Sequence, residues 1–181
     1  MTELRAALSA IAPSERDAWL DRTLGLEDLP ADERLPRSCV PYVPCSVDAI
    51  LRAIDHAAIT AADVVVDIGA GVGRATALVH LATGATTIGL EIQPRLVAHA
   101  RALAARLAAP MTFIEGDAAD ILPRGTVYFL YCPFSGERLA TVLSRLEGMR
   151  PVRICCVDLP LPPSPWLSVT HADDDLTVYR G

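Results

Sequence analysis

Val64-Val65-Val66-Asp67-Ile68-Gly69-Ala70-Gly71-Val72-Gly73-Arg74 is the stretch that decides the fold of this 181-residue chain. Three β-branched residues in a row suit a strand buried on both faces, as in a parallel sheet. The glycines that follow allow a sharp turn and a close approach to the backbone, and the spacing predicts a helix from near Val72. Three readings of the loop stand side by side: a structural strand–helix turn, a dinucleotide loop, and a loop for a nucleotide-like ligand without phosphate. The dinucleotide pattern places glycine at the sixth position of G-x-G-x-x-G. Here glycines stand at 69, 71 and 73, and Arg74 occupies that place. Asp67, just ahead of the loop, would crowd a pyrophosphate and suits a ligand with a cationic amino group.

Outward from the loop, strands and helices alternate. Thr86–Glu91 reads as a strand, 94–107 as a helix with Pro94 in its first turn, 111–115 and 126–131 as strands, 135–146 as a helix and 152–157 as a strand. The pattern then changes. Residues 166–171 and 176–180 flank the acidic turn Ala172-Asp173-Asp174-Asp175 and read as two strands of a hairpin. The expected class is α/β, a Rossmann-like and mostly parallel sheet closed by an antiparallel C-terminal hairpin. Upstream, residues 2–12 and 14–24 read as helices, the second capped by Ser14. A Pro- and charge-rich connector spans 25–45, and Ser46 caps a helix carrying Val47, Ile50, Leu51 and Ile54. Residues 1–45 are expected as a helical lid or extension, and 46–181 as the ligand-binding domain.

Composition narrows the function classes. Hydrophobic residues make up 51% and charged residues 21%, as in a compact globule. The net charge of −6 argues against a nucleic-acid binder that depends on a broad basic field. All 16 basic residues are Arg, so no lysine is present for Schiff-base chemistry. Cysteines 39, 45, 132, 155 and 156 match no metal-ligand spacing and read as free thiols, Cys132 as a small apolar filler. No metal is expected. His56, His80, His99 and His171 read as structural or solvated. No leader and no apolar run of about 20 residues is visible, so no membrane span is expected and the cytoplasm is the default location.

Acids recur at successive strand ends. Glu91 closes the second strand, 24 positions after Asp67, where a carboxylate accepts hydrogen bonds from ribose hydroxyls. Glu115-Gly116-Asp117-Ala118 follows the third strand, where Asp117 can accept from an adenine amine and a neighbouring backbone N–H can reach the ring.

With these residues in place, the chain resembles the class I, S-adenosylmethionine-dependent methyltransferases over roughly 40–181. The stretch 67–74 is similar to their first motif, 89–94 to their acidic ribose motif and 113–118 to their adenine motif. Val40-Pro41-Tyr42-Val43-Pro44 resembles the entry segment of small seven-strand protein-lysine methyltransferases and non-SET histone-lysine methyltransferases, with Cys45 where those carry Thr or Ser. The tail from Cys156 through Trp166 is similar to the same enzymes. The resemblance implies S-adenosylmethionine as cofactor, held by Tyr42, Asp67, Gly69, Ala70, Gly71, Gly73, Glu91, Ile92, Asp117 and Ala118. It implies methyl transfer at Tyr131, Pro133 and Phe134, after the fourth strand. That stretch, Tyr131-Cys132-Pro133-Phe134, lacks the leading Asn or Asp of enzymes that methylate amide or base nitrogens. The expected acceptor is a protein, a lysine amine among the candidates, or a small molecule; nucleic acid is not expected. A noncatalytic cofactor-binding protein and an NAD-dependent oxidoreductase are the alternatives.

Overall fold

The computed structural model describes residues 2–181. Its centre is a seven-stranded sheet in the order β3-β2-β1-β4-β5-β7-β6. The strands are β1 (Val64–Ile68), β2 (Thr86–Glu91), β3 (Met111–Glu115), β4 (Val127–Tyr131), β5 (Arg153–Val157), β6 (Ser168–Ala172) and β7 (Leu176–Arg180). The first five run parallel, and β7 inserts antiparallel between β5 and β6. The β-branched run of the decisive stretch thus lies at the middle of the sheet, with Val65, Val66 and Ile68 all buried.

Among the described residues six helices accompany the sheet: α1 (Glu3–Ser9), α2 (Pro13–Leu24), α3 (Val47–His56), α4 (Arg74–Thr83), α5 (Pro94–Leu107) and α6 (Gly136–Glu147). Alternating side chains sort the strands between two cores. Val65, Val127, Phe129, Cys155 and Val178 face a core shared with α1 to α5. Val66, Ile68, Tyr128, Leu130, Ile154 and Tyr179 face the other, which among the described residues has α6 as its only helix. Loop side chains complete that side, with Leu159, Leu161 and Trp166 among them. A direct loop, with no helix, joins β3 to β4.

Several boundaries differ from expectation for local reasons. α4 begins at Arg74, because Gly73 at φ +84° still belongs to the turn. α1 stops at Ser9 and α2 starts with Pro13 in its first turn, so Ser14 lies inside α2 and is not its cap. β6 starts at Ser168; Trp166 precedes it and packs on Gly181. Ser46 does cap α3, its hydroxyl accepting from the Ala49 N–H at 3.2 Å. The N-terminal helices pack into the first core through Leu8, Leu20 and Leu24.

Candidate active site

A cavity of about 290 Å³ opens at the carboxyl ends of the parallel strands, at the lower edge of the size of small-molecule sites. Its walls include Gly69, Glu91, Ile92, Asp117 and Ala118 from the ends of β1, β2 and β3, and Tyr131, Pro133 and Phe134 after β4. Tyr42 closes it from the connector. Nine of the residues singled out in the sequence therefore meet around one space. Asp67, Ala70, Gly71 and Gly73 do not line it.

The loop glycines make room for protein side chains. A Cβ on Gly69 would stand 2.7 Å from Pro133, one on Gly73 2.6 Å from Phe113, and one on Gly71 would overlap the Tyr42 ring. All three have positive φ. Fixing this turn brings the strand-four segment and the connector down onto the loop, and that shapes the cavity.

Each acid has a distinct setting. Glu91 is buried, and its two oxygens accept from the Gly71 and Gln93 N–H groups, both at 2.9 Å. Burial raises its pKa, opposed by those N–H bonds. Asp67 lies behind the loop and accepts from the Thr76 hydroxyl at 2.6 Å. Burial pushes its carboxyl up to about 6, against the pull of the Thr76 bonds. Asp117 accepts from the Ala119 N–H at 2.9 Å and pairs with Arg138 of α6, whose Nε also donates to the Ser38 hydroxyl.

The connector forms a strap over the cavity. The Val40 N–H donates to the Pro133 carbonyl and the Ser135 N–H to the Ser38 carbonyl. On the other side Asp32 accepts from the Tyr42 N–H and from Gln93, and the Gln93 side-chain carbonyl accepts from the Glu33 N–H. The Tyr42 hydroxyl is buried without a hydrogen-bond partner, a cost that persists unless a ligand or water meets it. Arg74 ties the N-terminal helices to the same place. It is 3% exposed, pairs with Asp17 and Asp21 of α2, and donates to the Cys45 carbonyl.

A phosphate-free nucleoside ligand fits these residues. Two acids stand at adjacent strand ends, the enclosed space suits one small molecule, and a buried hydroxyl still lacks a partner. Sequence reasoning missed Arg138, Gln93 and Asp158, which all belong to the cavity wall. Asp158 was within reach of the strand-end rule, since it directly follows β5. No pattern marked Arg138 on its amphipathic helix.

The comparisons agree with this geometry. A family model for a methyltransferase domain matches residues 65–147. An RNA methyltransferase from Salinibacter ruber, solved with S-adenosyl-L-homocysteine, is 26% identical over 76% of this chain and 92% of its own, with a TM-score of 0.62. A Pyrococcus horikoshii protein assigned as an RNA methyltransferase is 16% identical over 90% of this chain and 96% of its own, TM-score 0.62. Geranyl diphosphate C-methyltransferase from Streptomyces coelicolor is 16% identical over 61% of this chain and 44% of its own, TM-score 0.54. No curated protein matches the sequence. RNA methyltransferases among the similar structures take away the force of the charge argument against nucleic acid. No helix among the described residues is long and apolar enough to cross a membrane.

Proposed function

We propose that the chain is a class I S-adenosylmethionine-dependent methyltransferase, as the methyltransferase-domain model over residues 65–147 and the Salinibacter ruber relative support, and that it methylates an amine nitrogen, a protein lysine being the leading acceptor. The observation that carries the reading is the continuity of the cavity, which has Glu91 and Asp117 at one end and Tyr131, Cys132, Pro133 and Phe134 at the other. The Asn or Asp that enzymes acting on amide or base nitrogens carry before this proline is absent here, which supports an aliphatic amine over those acceptors.

When bound, S-adenosylmethionine supplies a methyl carbon activated by a positively charged sulfur. Glu91 would hold the ribose and Asp117, with the Ala118 backbone, the adenine. Gly69, Ala70, Gly71 and Gly73 form the turn beneath, and Ile92 the side wall. Asp67 braces the loop through Thr76 and offers negative charge behind it. Tyr42, Tyr131, Pro133 and Phe134 bound the transfer space, exclude water and present aromatic faces that favour cations. Residues 1–45 would act as an extension whose strap, 36–44, covers the cofactor.

The Salinibacter ruber relative favours a second reading, an RNA acceptor. Calorimetry with S-adenosylmethionine, S-adenosylhomocysteine and NAD tests the cofactor: binding of the first two is expected, and NAD binding alone would overturn the reading. Lysate incubated with labelled cofactor then separates the acceptors, label on protein lysine being expected and label on RNA favouring the second reading.

A further inference from the structure

Three carboxylates line the cavity: Glu91, Asp117 and Asp158. Two already have partners. Glu91 accepts from two backbone N–H groups, and Asp117 pairs with Arg138 and accepts from Ala119. The Asp158 carboxylate has no hydrogen bond or ion pair among the described residues, although its backbone is firmly placed. Its N–H donates to the Asp175 carbonyl at 2.8 Å, and its φ is +50°.

Its position is at the acceptor end. Tyr131 of β4 and Val157 of β5 are register partners, so Cys132 and Asp158 are the next residues on neighbouring strands. Both turn left-handed, Cys132 at φ +42°, and both line the cavity. Burial and the nearby Cys45 thiol, then Asp158, raise the Tyr131 phenol, which places that carboxylate's field on the aromatic wall. Among the described residues the only cation in the wall is Arg138, and Asp117 engages it. Asp158 is exposed at the cavity wall, and its negative charge stands there with no cation beside it among the described residues.

We propose that Asp158 is the acceptor-binding residue, holding the ammonium group of an aliphatic amine and stabilising the positive charge that builds on nitrogen as the methyl arrives. This rests on the methyltransferase reading above and narrows its acceptor. The ammonium first loses one proton to water. Water takes that proton, and Asp158 orients the amine and stabilises the charge that develops on it. The amine lone pair then forms the N–C bond while the S–C bond breaks with its electrons left on sulfur. The product is a methylated ammonium and a neutral thioether. Charge moves from sulfur to nitrogen, and a fixed carboxylate beside the nitrogen favours that movement. The same carboxylate disfavours a phosphate-bearing acceptor.

Asn tolerates the left-handed backbone as well as Asp, so Asp158→Asn removes charge with little backbone cost. The test loads wild type, Asp158→Asn, Asp158→Glu and Asp174→Asn with S-adenosylhomocysteine. Each is titrated with an end-capped Gly-Lys-Gly peptide and with its acetyl-lysine counterpart. Asp174 is exposed in the hairpin turn, outside the cavity wall, and controls for net charge. The lysine peptide is expected to bind wild type in preference to the acetylated one. Asp158→Asn should weaken it by about tenfold or more, as for a charge-assisted hydrogen bond. Asp174→Asn should not weaken it, Asp158→Glu should retain part of the affinity, and all four should keep wild-type affinity for S-adenosylhomocysteine. Equal peptide binding by wild type and Asp158→Asn, or no preference of wild type for the free amine, would overturn the proposal and leave the methyltransferase reading standing. Failure of wild type to bind S-adenosylhomocysteine would instead sink that reading. In lysate, label on carbon, oxygen or a nucleobase would also overturn the amine assignment.

Discussion

Arg74 shows how one residue serves both stability and site. Its guanidinium is desolvated, yet Asp21 and Asp17 more than offset that and raise its pKa. Arg74→Met keeps the stem and deletes the charge, stranding two acids that are themselves partly solvated (51% and 32% exposed). The expected loss is therefore about 2–3 kcal/mol in urea unfolding, below the usual cost of breaking a fully buried pair. Asp67 predicts a pH dependence of definite sign. Its carboxyl, at about 6 in the folded chain against an ordinary 3.8, binds its proton more tightly folded than unfolded. It therefore favours folding at low pH and loses that contribution as pH rises through about 6. Relative to Asp67→Asn, wild type should lose up to about 3 kcal/mol between pH 4 and 7, at about 1.4 kcal/mol per unit. A pH-independent difference between the two urea curves would contradict the burial argument. Glu91→Ala should weaken S-adenosylhomocysteine binding by about 1–3 kcal/mol, the range for a lost charged hydrogen bond, as read by calorimetry.

Among the elements, the strap and the glycine turn act as one unit. Tyr42→Phe removes only a hydroxyl without a partner, whereas Tyr42→Ala removes the ring that packs on Gly71. S-Adenosylhomocysteine affinity should drop by about tenfold for Ala through lost preorganisation. A drop of similar size for Phe would show that the hydroxyl itself meets the ligand. The strands of this region were legible in the sequence, since Val64 to Val66 and Val127 to Tyr131 are short apolar runs rich in β-branched or aromatic residues, which suit a buried strand. The C-terminal hairpin was legible from its acidic turn. The strap was half legible. Pro41 and Pro44 predict extended chain, but the bonds of Val40 and Ser38 to the strand-four segment depend on residues about 95 positions away. The same limit hid the Asp117–Arg138 pair, so the sequence did not show that Asp117 already has a cation beside it. The direction of Asp67, toward Thr76 and away from the cavity, follows from strand alternation, which puts it on the face of Val65, the side packed by α4.

At the scale of the whole molecule, the proposed basic acceptor would meet a chain of net charge −6 with an unpaired carboxylate, Asp158, in the cavity wall. The kcat/KM for methylating a lysine-rich protein should fall as salt rises from about 20 to 200 mM, because screening shortens the reach of that field. An uncharged acceptor should show little change. The two faces of the sheet are unequal, one covered by five helices and the other by α6 and loops. The site is unequal in a similar way: the glycine turn beneath it, which reaches the wall at Gly69, is pressed against Pro133, Phe113 and Tyr42, and its roof is a single extended segment. That inequality tells an enzyme engineer where enlargement is feasible. Cofactor analogues with longer S-alkyl groups need added volume, and none is to be had from glycines that already lack a side chain. Trimming Leu35 or Val43, wall residues on the roof side, should open the pocket to such analogues while the floor keeps its shape.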